Sequence, residues 1–201
     1  MRFKIFDVNF YISVPFAVLM SFMLVTDKTG LMGISLFAVI LHELGHLIAM
    51  KIIKCAPNSI ELKIGGVLIR NKSFGGFKDS IIVSVSGPLF NLIAFVLLYI
   101  SGTFLKSDFL LANAVVQIIV GGVNLLPVKG LDGGAVMDII LRCIMVRNVG
   151  LTTAVISILT ACVVTVAGLA ILVKNVSNPS LLLLGIYLII INISRLNFSD
   201  D

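Results

Sequence analysis

Six apolar stretches, each close to the length that a helix needs to cross the hydrocarbon core of a bilayer, take up most of this 201-residue sequence. Only 12% of the residues are charged, whereas water-soluble domains carry about 25%. So few polar side chains cannot cover a folded core in water, and we predict an all-α polytopic membrane protein. The expected transmembrane helices are Val8–Val25, Leu31–Ile53, Ser80–Thr103, Phe109–Leu126, Leu151–Val173 and Pro179–Ile193.

Short polar connectors separate most of these stretches, and the sequence contains no repeat or polar appendage. We therefore expect a single membrane domain over residues 1–201. No small-residue cleavage site follows the first apolar stretch, so we interpret it as a retained transmembrane helix rather than as a signal peptide. Gly168 and Gly185, in the last two stretches, are interpreted as helix-packing positions.

The segment Ser59–Arg70, between the second and third stretches, alternates apolar and polar residues and is interrupted by Gly65 and Gly66. Alternation is typical of a strand, and a glycine pair is typical of a turn. We predict a short membrane-associated strand or hairpin at the cytoplasmic surface. An amphipathic loop fits the pattern equally well.

The distribution of basic residues predicts the orientation in the membrane. Alternate connectors place 12 of the Lys and Arg residues on one side and 3 on the other. Because cytoplasmic loops are enriched in Lys and Arg, both termini are expected in the cytoplasm of a cell-membrane protein. The net charge of +5 has the same explanation, and no basic run interleaved with aromatic residues indicates nucleic-acid binding. Three widely spaced cysteines, Cys55, Cys143 and Cys162, indicate no disulfide framework.

Both histidines of the chain lie in the sequence Leu-His-Glu-Leu-Gly-His-Leu, at positions 42 and 46. Residues i and i+4 share one face of a helix, so His42 and His46 can bind one metal ion. Glu43, beside the first histidine, can act as general base on a water molecule. Ionisable groups are costly at membrane depth, which favours a functional interpretation over a chance pattern.

A catalytic zinc ion usually has three protein ligands, and Asp132 is the strongest candidate for the third. It lies in the segment Asn124–Gly134, at the end of the fourth apolar stretch. This stretch is expected to run toward the cytoplasm, as the second stretch with the histidines does. Pro127 and several glycines there are expected to break the helix and turn an acidic side chain toward a cavity. The alternative is an aspartate in an ordinary cytoplasmic glycine turn.

Three segments together resemble the site-2 protease family of intramembrane zinc metalloproteases: His-Glu-Leu-Gly-His, Ser-Gly-Pro-Leu-Phe-Asn at residues 86–91, and Asn-x-x-Pro with Leu-Asp-Gly-Gly at residues 124–134. The six-helix layout is similar to the branch that contains the stage IV sporulation factor-type proteases. The resemblance implies one Zn²⁺ ion bound by His42, His46 and Asp132, with Glu43 activating water.

The same resemblance assigns substrate-binding roles to four further residues. Asn124 would position the substrate backbone or stabilise the oxyanion, and Gly65 and Gly66 would belong to a substrate-binding strand. Asn91 would contact substrate, although an interhelical hydrogen bond is an equally good explanation.

The resemblance further implies regulated intramembrane proteolysis of a membrane-tethered substrate, such as a sigma-factor precursor or an anti-sigma factor, under a membrane regulator. No PDZ or CBS domain is expected. Ala135 stands where the family commonly has an arginine, and Arg142 is a candidate replacement.

Two alternatives stay open. A metal-ion or small-solute transporter would use His42, His46 and Asp132 to bind its cargo, and it also explains a broken helix in the membrane. A catalytically inactive scaffold would keep the metal for stability. Neither explains a glutamate next to the first histidine.

Overall fold

The computed structural model describes residues 2–5, 8–55, 59–63, 66–70, 76–144, 147–174 and 179–196. The chain divides into two compact units, Met1–Gly122 and Val123–Asp201. The helices of the described part are α1 (Val14–Thr26), α2 (Leu31–Ile52), α3 (Phe77–Leu105), α4 (Asp108–Asn124), α5 (Asp132–Ile144), α6 (Val149–Lys174) and α7 (Ser180–Leu196). The strands are β1 (Arg2–Ile5), β2 (Val8–Ile12), β3 (Ser59–Lys63) and β4 (Gly66–Arg70).

Seven helices dominate the described residues, which confirms the predicted helical class. Three of them, α2, α3 and α6, are long and apolar enough to cross a membrane, and α4 and α7 are shorter apolar helices. A count of six transmembrane helices and the orientation of the termini stay predictions. Large apolar side chains are exposed along these helices, as expected for surfaces solvated by lipid; examples are Phe37, Leu97, Ile100, Leu159 and Val163.

The predicted start of the first helix, Val8–Val25, is wrong. Residues Val8–Ile12 form β2, and α1 begins only at Val14. Pro15, the second residue of α1, lacks a backbone N–H and is accommodated in a first helical turn but not in a helix interior. With 13 residues, α1 is also shorter than a helix that spans the hydrocarbon core.

The four strands form one sheet in the order β1-β2-β3-β4. Within it, β3 and β4 pair antiparallel, with Ser59 opposite Arg70 and Lys63 opposite Gly66. Strand β3 also pairs parallel to β2, a partner that the sequence pattern did not predict. The membrane-associated position of the β3–β4 segment stays a prediction.

Helices α2 and α3 approach most closely where Gly45 faces the turn of α3 that contains Ser86. A Cβ atom at residue 45 would lie 2.6 Å from the Ser86 carbonyl oxygen, so only glycine allows this separation. The contact brings residues 83–91 of α3 against the histidine-bearing face of α2, where His42, His46 and Ala49 are buried.

A side-chain turn ahead of α2 satisfies the first N–H groups of this helix. The Asp27 carboxylate accepts hydrogen bonds from the Thr29 hydroxyl (2.6 Å), the Thr29 backbone N–H (2.8 Å) and the Met32 backbone N–H (2.8 Å). The hydrogen bond from the Thr29 hydroxyl, followed by those from the backbone N–H groups, lowers the pKa of Asp27 below its ordinary value of 3.8. The turn therefore fixes the start of the helix that bears both histidines.

We predict that Asp27 makes the stability of the protein sensitive to acid. A lowered pKa means that the folded state binds the proton more weakly than the unfolded state. The stabilisation is thus complete above pH 3.8 and is lost as the pH falls through the lowered value. Thermal unfolding in detergent between pH 6 and pH 3 should show a steeper loss of Tm in the wild type than in Asp27→Asn. Parallel curves would contradict the prediction.

In the second unit, helices α6 and α7 pack through small residues. A Cβ atom at Gly168 would lie 2.5 Å from the Leu182 backbone nitrogen, and one at Gly185 would lie 2.7 Å from the Thr165 backbone nitrogen. Both contacts are with backbone atoms, which cannot move aside as a flexible side chain can. The interpretation of Gly168 and Gly185 as packing positions is confirmed.

We predict that Gly185→Ala destabilises the protein by about 1–3 kcal/mol, because the added methyl group forces the two backbones apart. Denaturation in mixed micelles measures the effect. Gly150→Ala is the matched control, since Gly150 lies in the first turn of α6 with no heavy atom within 4 Å of an added Cβ. Equal stabilities of the two variants would refute the packing role.

Candidate metal centre

His42 and His46 lie on the buried face of α2, and their side chains are 4% and 7% exposed. The Nε2 atoms of the two rings are 3.1 Å apart. Two imidazole nitrogens at this distance either share a proton or direct lone pairs at a common point. The tautomers, which the groups around Nδ1 determine, decide between these arrangements.

The tautomer of His46 follows from a main-chain contact. His46 Nδ1 is 2.7 Å from the backbone carbonyl oxygen of Val83, which can only accept a hydrogen bond. Nδ1 therefore carries the proton, and in the neutral ring Nε2 keeps its lone pair. The Ser86 hydroxyl also donates to the Val83 carbonyl, at 2.6 Å.

The tautomer of His42 follows from a side-chain amide. His42 Nδ1 is 2.6 Å from Asn91 Oδ1. Asn91 Nδ2 donates to the Ala38 carbonyl oxygen at 3.1 Å and to Gln117 Oε1 at 2.6 Å. Because the Ala38 carbonyl can only accept, the amide is oriented with its oxygen toward His42. His42 Nδ1 must then donate, and His42 Nε2 also keeps its lone pair.

Two Nε2 lone pairs that face each other at 3.1 Å repel unless a cation lies between them. Ligand nitrogens each about 2.0–2.1 Å from a tetrahedral zinc ion are about 3.3 Å apart. Hydrogen bonds that fix the second ring nitrogen are the usual support of histidine ligands. The donor set of α2 therefore fits a zinc ion.

Gly87 of α3 lies directly over the two Nε2 atoms. A Cβ atom at residue 87 would be 2.8 Å from His42 Nε2 and still closer to His46 Nε2. Only a glycine leaves room at this position for an ion on the histidine pair.

Glu43 is half-buried beside His42 on α2. As the next residue of the helix, its side chain lies about 100° around the helix axis from that of His42. It therefore belongs to the edge of the histidine face and not to its centre. A carboxylate there suits a base near the metal position better than a third ligand.

Asp132 is the first residue of α5, in the second unit. The chain ahead of it is tightly turned. The Val128 N–H donates to the Leu126 carbonyl at 2.7 Å around Pro127, and the Leu131 N–H donates to the Val128 carbonyl at 3.0 Å. Gly130 within the second turn has a φ of 108°, in a region that favours glycine.

The two glycines after Asp132 let α5 begin against this turn. A Cβ atom at Gly133 would collide with the Leu125 carbonyl, and one at Gly134 would collide with the Val128 carbonyl. The glycine pair of the Leu-Asp-Gly-Gly sequence is therefore required by backbone contact within the second unit. Helix α5 begins with an acidic residue, a charge that the helix dipole favours at this end.

Contacts with α6 and α7 hold the turned segment in place. Val128 is fully buried and forms a core cluster with Ala161 and Leu188. The Lys129 backbone N–H donates to Ser157 Oγ at 2.8 Å, and Ser157 Oγ in turn donates to the Thr153 carbonyl at 2.6 Å. The position of Asp132 within its unit thus rests on rigid secondary structure.

The other predicted site residues are more widely distributed. Asn124 is the last residue of α4, and Asn91 is fully buried on α3. Arg142 pairs with Asp138 on α5 at 2.7 Å, and its side chain is 57% exposed, which gives no support to a role as the missing family arginine. Gly65 lies outside the described residues, and Gly66 begins β4. The substrate-binding assignments stay predictions.

Sequence reasoning missed two residues of the histidine environment. Gly87 was part of a recognised segment but received no role of its own. Gln117, fully buried on α4, was not singled out. The available signal was a pair of amides, Asn113 and Gln117, one turn apart in an otherwise apolar stretch; such amides commonly mark buried polar contacts in membrane helices.

No family model matches this sequence, and no curated protein matches it. Among solved structures, the chain is similar to a site-2 protease from Methanocaldococcus jannaschii. The TM-score is 0.64 with 21% sequence identity, over 94% of this chain and 92% of that chain. The protein therefore has the fold of that protease.

We predict that Gly87→Ala weakens zinc binding, because the added methyl group occupies the space over the Nε2 atoms. Overpacking of about 1–3 kcal/mol corresponds to an affinity loss of about five- to 150-fold. Competition with a chromophoric chelator measures the affinity. Gly76→Ala, at the start of the same helix with no heavy atom within 4 Å of an added Cβ, should bind zinc like the wild type. Unchanged affinity in Gly87→Ala would refute this position for the ion.

Proposed function

We propose that this protein is an intramembrane zinc metalloprotease that hydrolyses peptide bonds in or near transmembrane segments. The observation that best supports it is the pair of buried histidines whose Nδ1 atoms are both engaged and whose Nε2 atoms converge at 3.1 Å. The shared fold with a site-2 protease gives independent support.

We propose Asp132 as the third ligand of a single zinc ion. The chain contains no third histidine, and three protein ligands with one open position are typical of catalytic zinc. Within the second unit, Asp132 starts α5 on a segment that glycine contacts and the Ser157 hydrogen bond hold rigidly. Rigid support of this kind is what a metal-binding carboxylate needs.

In this proposal zinc, when bound, supplies a Lewis acid that polarises a peptide carbonyl and makes water acidic enough to be deprotonated near neutral pH. Glu43 accepts the proton from the attacking water and returns it to the nitrogen of the leaving amine. Asn91 fixes the His42 ring through Nδ1, and the Val83 carbonyl fixes His46. Asn124 is proposed to bind the substrate backbone or the developing oxyanion.

The proposed substrate is a membrane-tethered protein cleaved near the cytoplasmic face. A helical substrate must first become extended, because its carbonyl groups are otherwise hydrogen-bonded within the helix. Strand β4 is the last strand of the sheet, so an extended segment could pair with it, and Gly66 would allow close approach at its start. A sigma-factor precursor or an anti-sigma factor is the proposed type of substrate, with a membrane protein as regulator.

The transporter alternative also uses convergent buried ligands. It assigns no role to Glu43, whereas a metalloprotease needs a base at the metal. An inactive scaffold needs neither the base nor a substrate path. The protease is therefore the better explanation of the His-Glu-x-x-His sequence on the fold of a known protease.

We predict that Glu43→Gln abolishes cleavage but keeps zinc. Loss of a general base lowers the rate by about 100- to 10,000-fold, and Gln cannot accept the proton. Asp132→Asn should lose both zinc and cleavage, because the amide is a much weaker ligand. The purified protein in liposomes is mixed with single-span substrates, and cleavage and zinc content are measured on each variant.

Asp138→Asn makes the same chemical change at a half-buried carboxylate of α5, which pairs with Arg142, and should keep zinc and activity. Zinc bound by every variant with cleavage by none would favour the transporter or the scaffold, and ion flux would then be measured. Full zinc content in Asp132→Asn would exclude Asp132 as the third ligand.

A further inference from the structure

We propose that Gln117 is a positioning residue that acts through Asn91 to hold His42 in the tautomer able to bind metal. Gln117 lies on α4, is fully buried, and accepts a 2.6 Å hydrogen bond from Asn91 Nδ2. It does not contact the metal position itself. The expected effect of Gln117 on zinc binding rests on the proposed function. The effect of Gln117 on the His42 tautomer does not, because the tautomer can be measured in the metal-free protein.

The two histidines are oriented by different kinds of group. His46 faces a backbone carbonyl, which is an acceptor in every conformation. His42 faces a side-chain amide, which can present either its oxygen or its NH₂ group. The His42 tautomer therefore depends on the groups that orient the Asn91 amide, whereas the His46 tautomer has no such dependence.

A rotated Asn91 amide would reverse the tautomer of His42. With Nδ2 toward the ring, His42 Nδ1 would have to accept, and the proton would move to Nε2. That proton would occupy the position from which a neutral imidazole binds a metal ion. Rotation would also bring Asn91 Oδ1 against the Ala38 carbonyl, a contact between two acceptors, and would break the Asn91 bond to Gln117 Oε1 unless the Gln117 amide rotated as well.

Gln117 supplies the shorter of the two bonds that hold Asn91 in this orientation. Its bond with Asn91 is 2.6 Å, whereas the bond to the Ala38 carbonyl is 3.1 Å. Ala38 lies four residues before His42 in α2, so its carbonyl also has the helical N–H of His42 as a partner. Without Gln117, the orientation of Asn91 would depend on a longer bond to a shared acceptor.

The backbone of α4 is fitted to this contact. Gly121, one turn after Gln117, would bring an added Cβ to 3.1 Å from the Asn91 Cβ atom. Asn113, one turn before Gln117, is a buried amide on the same helix, 6% exposed, and it lines a cavity of about 330 Å³ with Gly30, Gly33, Ile34, Phe37 and Phe109. Asn113 is therefore a matched control for loss of a buried amide from α4.

The test is the tautomer of His42 in metal-free protein, read from ¹⁵N NMR spectra of a histidine-labelled sample. The chain has only two histidines, and His46→Gln assigns their signals. The wild type should show both rings protonated at Nδ1. Gln117→Met, of similar length but without an acceptor, should shift His42 toward protonation at Nε2 and leave His46 unchanged. Gln117→Glu, which keeps an acceptor oxygen, should restore the wild-type tautomer, and Asn113→Leu should not alter it.

Zinc affinity is the second measurement. Loss of a group that orients a ligand histidine typically lowers metal affinity about 10- to 100-fold. We expect this loss in Gln117→Met and little change in Gln117→Glu and Asn113→Leu.

A folded Gln117→Met variant with an unchanged His42 tautomer would overturn the proposal. So would a wild type in which His42 is protonated at Nε2, a result that needs no variant to fold. If the tautomer shifts as expected but the wild type neither binds zinc nor cleaves substrate, Gln117 still positions His42, and the proposed protease function fails instead.

Discussion

The close approach of α2 and α3 at Gly45 is the constraint on which the histidine environment depends. A side chain at that position would collide with the Ser86 carbonyl and separate the helices. Separation would remove the Val83 carbonyl from His46 and Asn91 from His42, two contacts of 2.7 and 2.6 Å. Glycine at position 45 of the His-Glu-Leu-Gly-His sequence therefore has a packing role that is distinct from the roles of the three polar residues.

The turn of α3 that faces the histidines is unusual in its hydrogen bonding. Pro88 lies inside the helix and lacks the N–H that the carbonyl four residues earlier would accept. In the same turn, the Val83 carbonyl accepts from Ser86 Oγ and from His46. Pro88 thus removes the helical partner of the Ser84 carbonyl, whereas the neighbouring Val83 carbonyl is the one that accepts from the two side chains. This stretch of α3 thus provides the orienting Val83 carbonyl, the Ser86 hydroxyl that donates to it and, at Gly87, the space over the Nε2 atoms.

Much of this arrangement could be predicted from local sequence, because it depends on local rules. Apolar stretches predicted the helical class, and the i, i+4 spacing predicted that His42 and His46 share a face. Pro127 and the glycines near Asp132 predicted a broken helix. The strand at Val8–Ile12 was missed because its apolar residues continued into the pattern of α1. The roles of Gln117 and Gly87 were missed because both depend on contacts with residues far away in the sequence, which no local pattern encodes.

The apolar surroundings increase the influence of each orienting hydrogen bond. In water, a histidine freed from one partner finds another at little cost, so tautomers interchange readily. At a buried site between apolar helices, an unmade hydrogen bond costs the full desolvation of the group. The bonds around Asn91 are also strengthened by the low local dielectric. A ligand set in the membrane can therefore be fixed by a few neutral amides and carbonyls, without the buried carboxylates that often orient histidine ligands in soluble metalloenzymes.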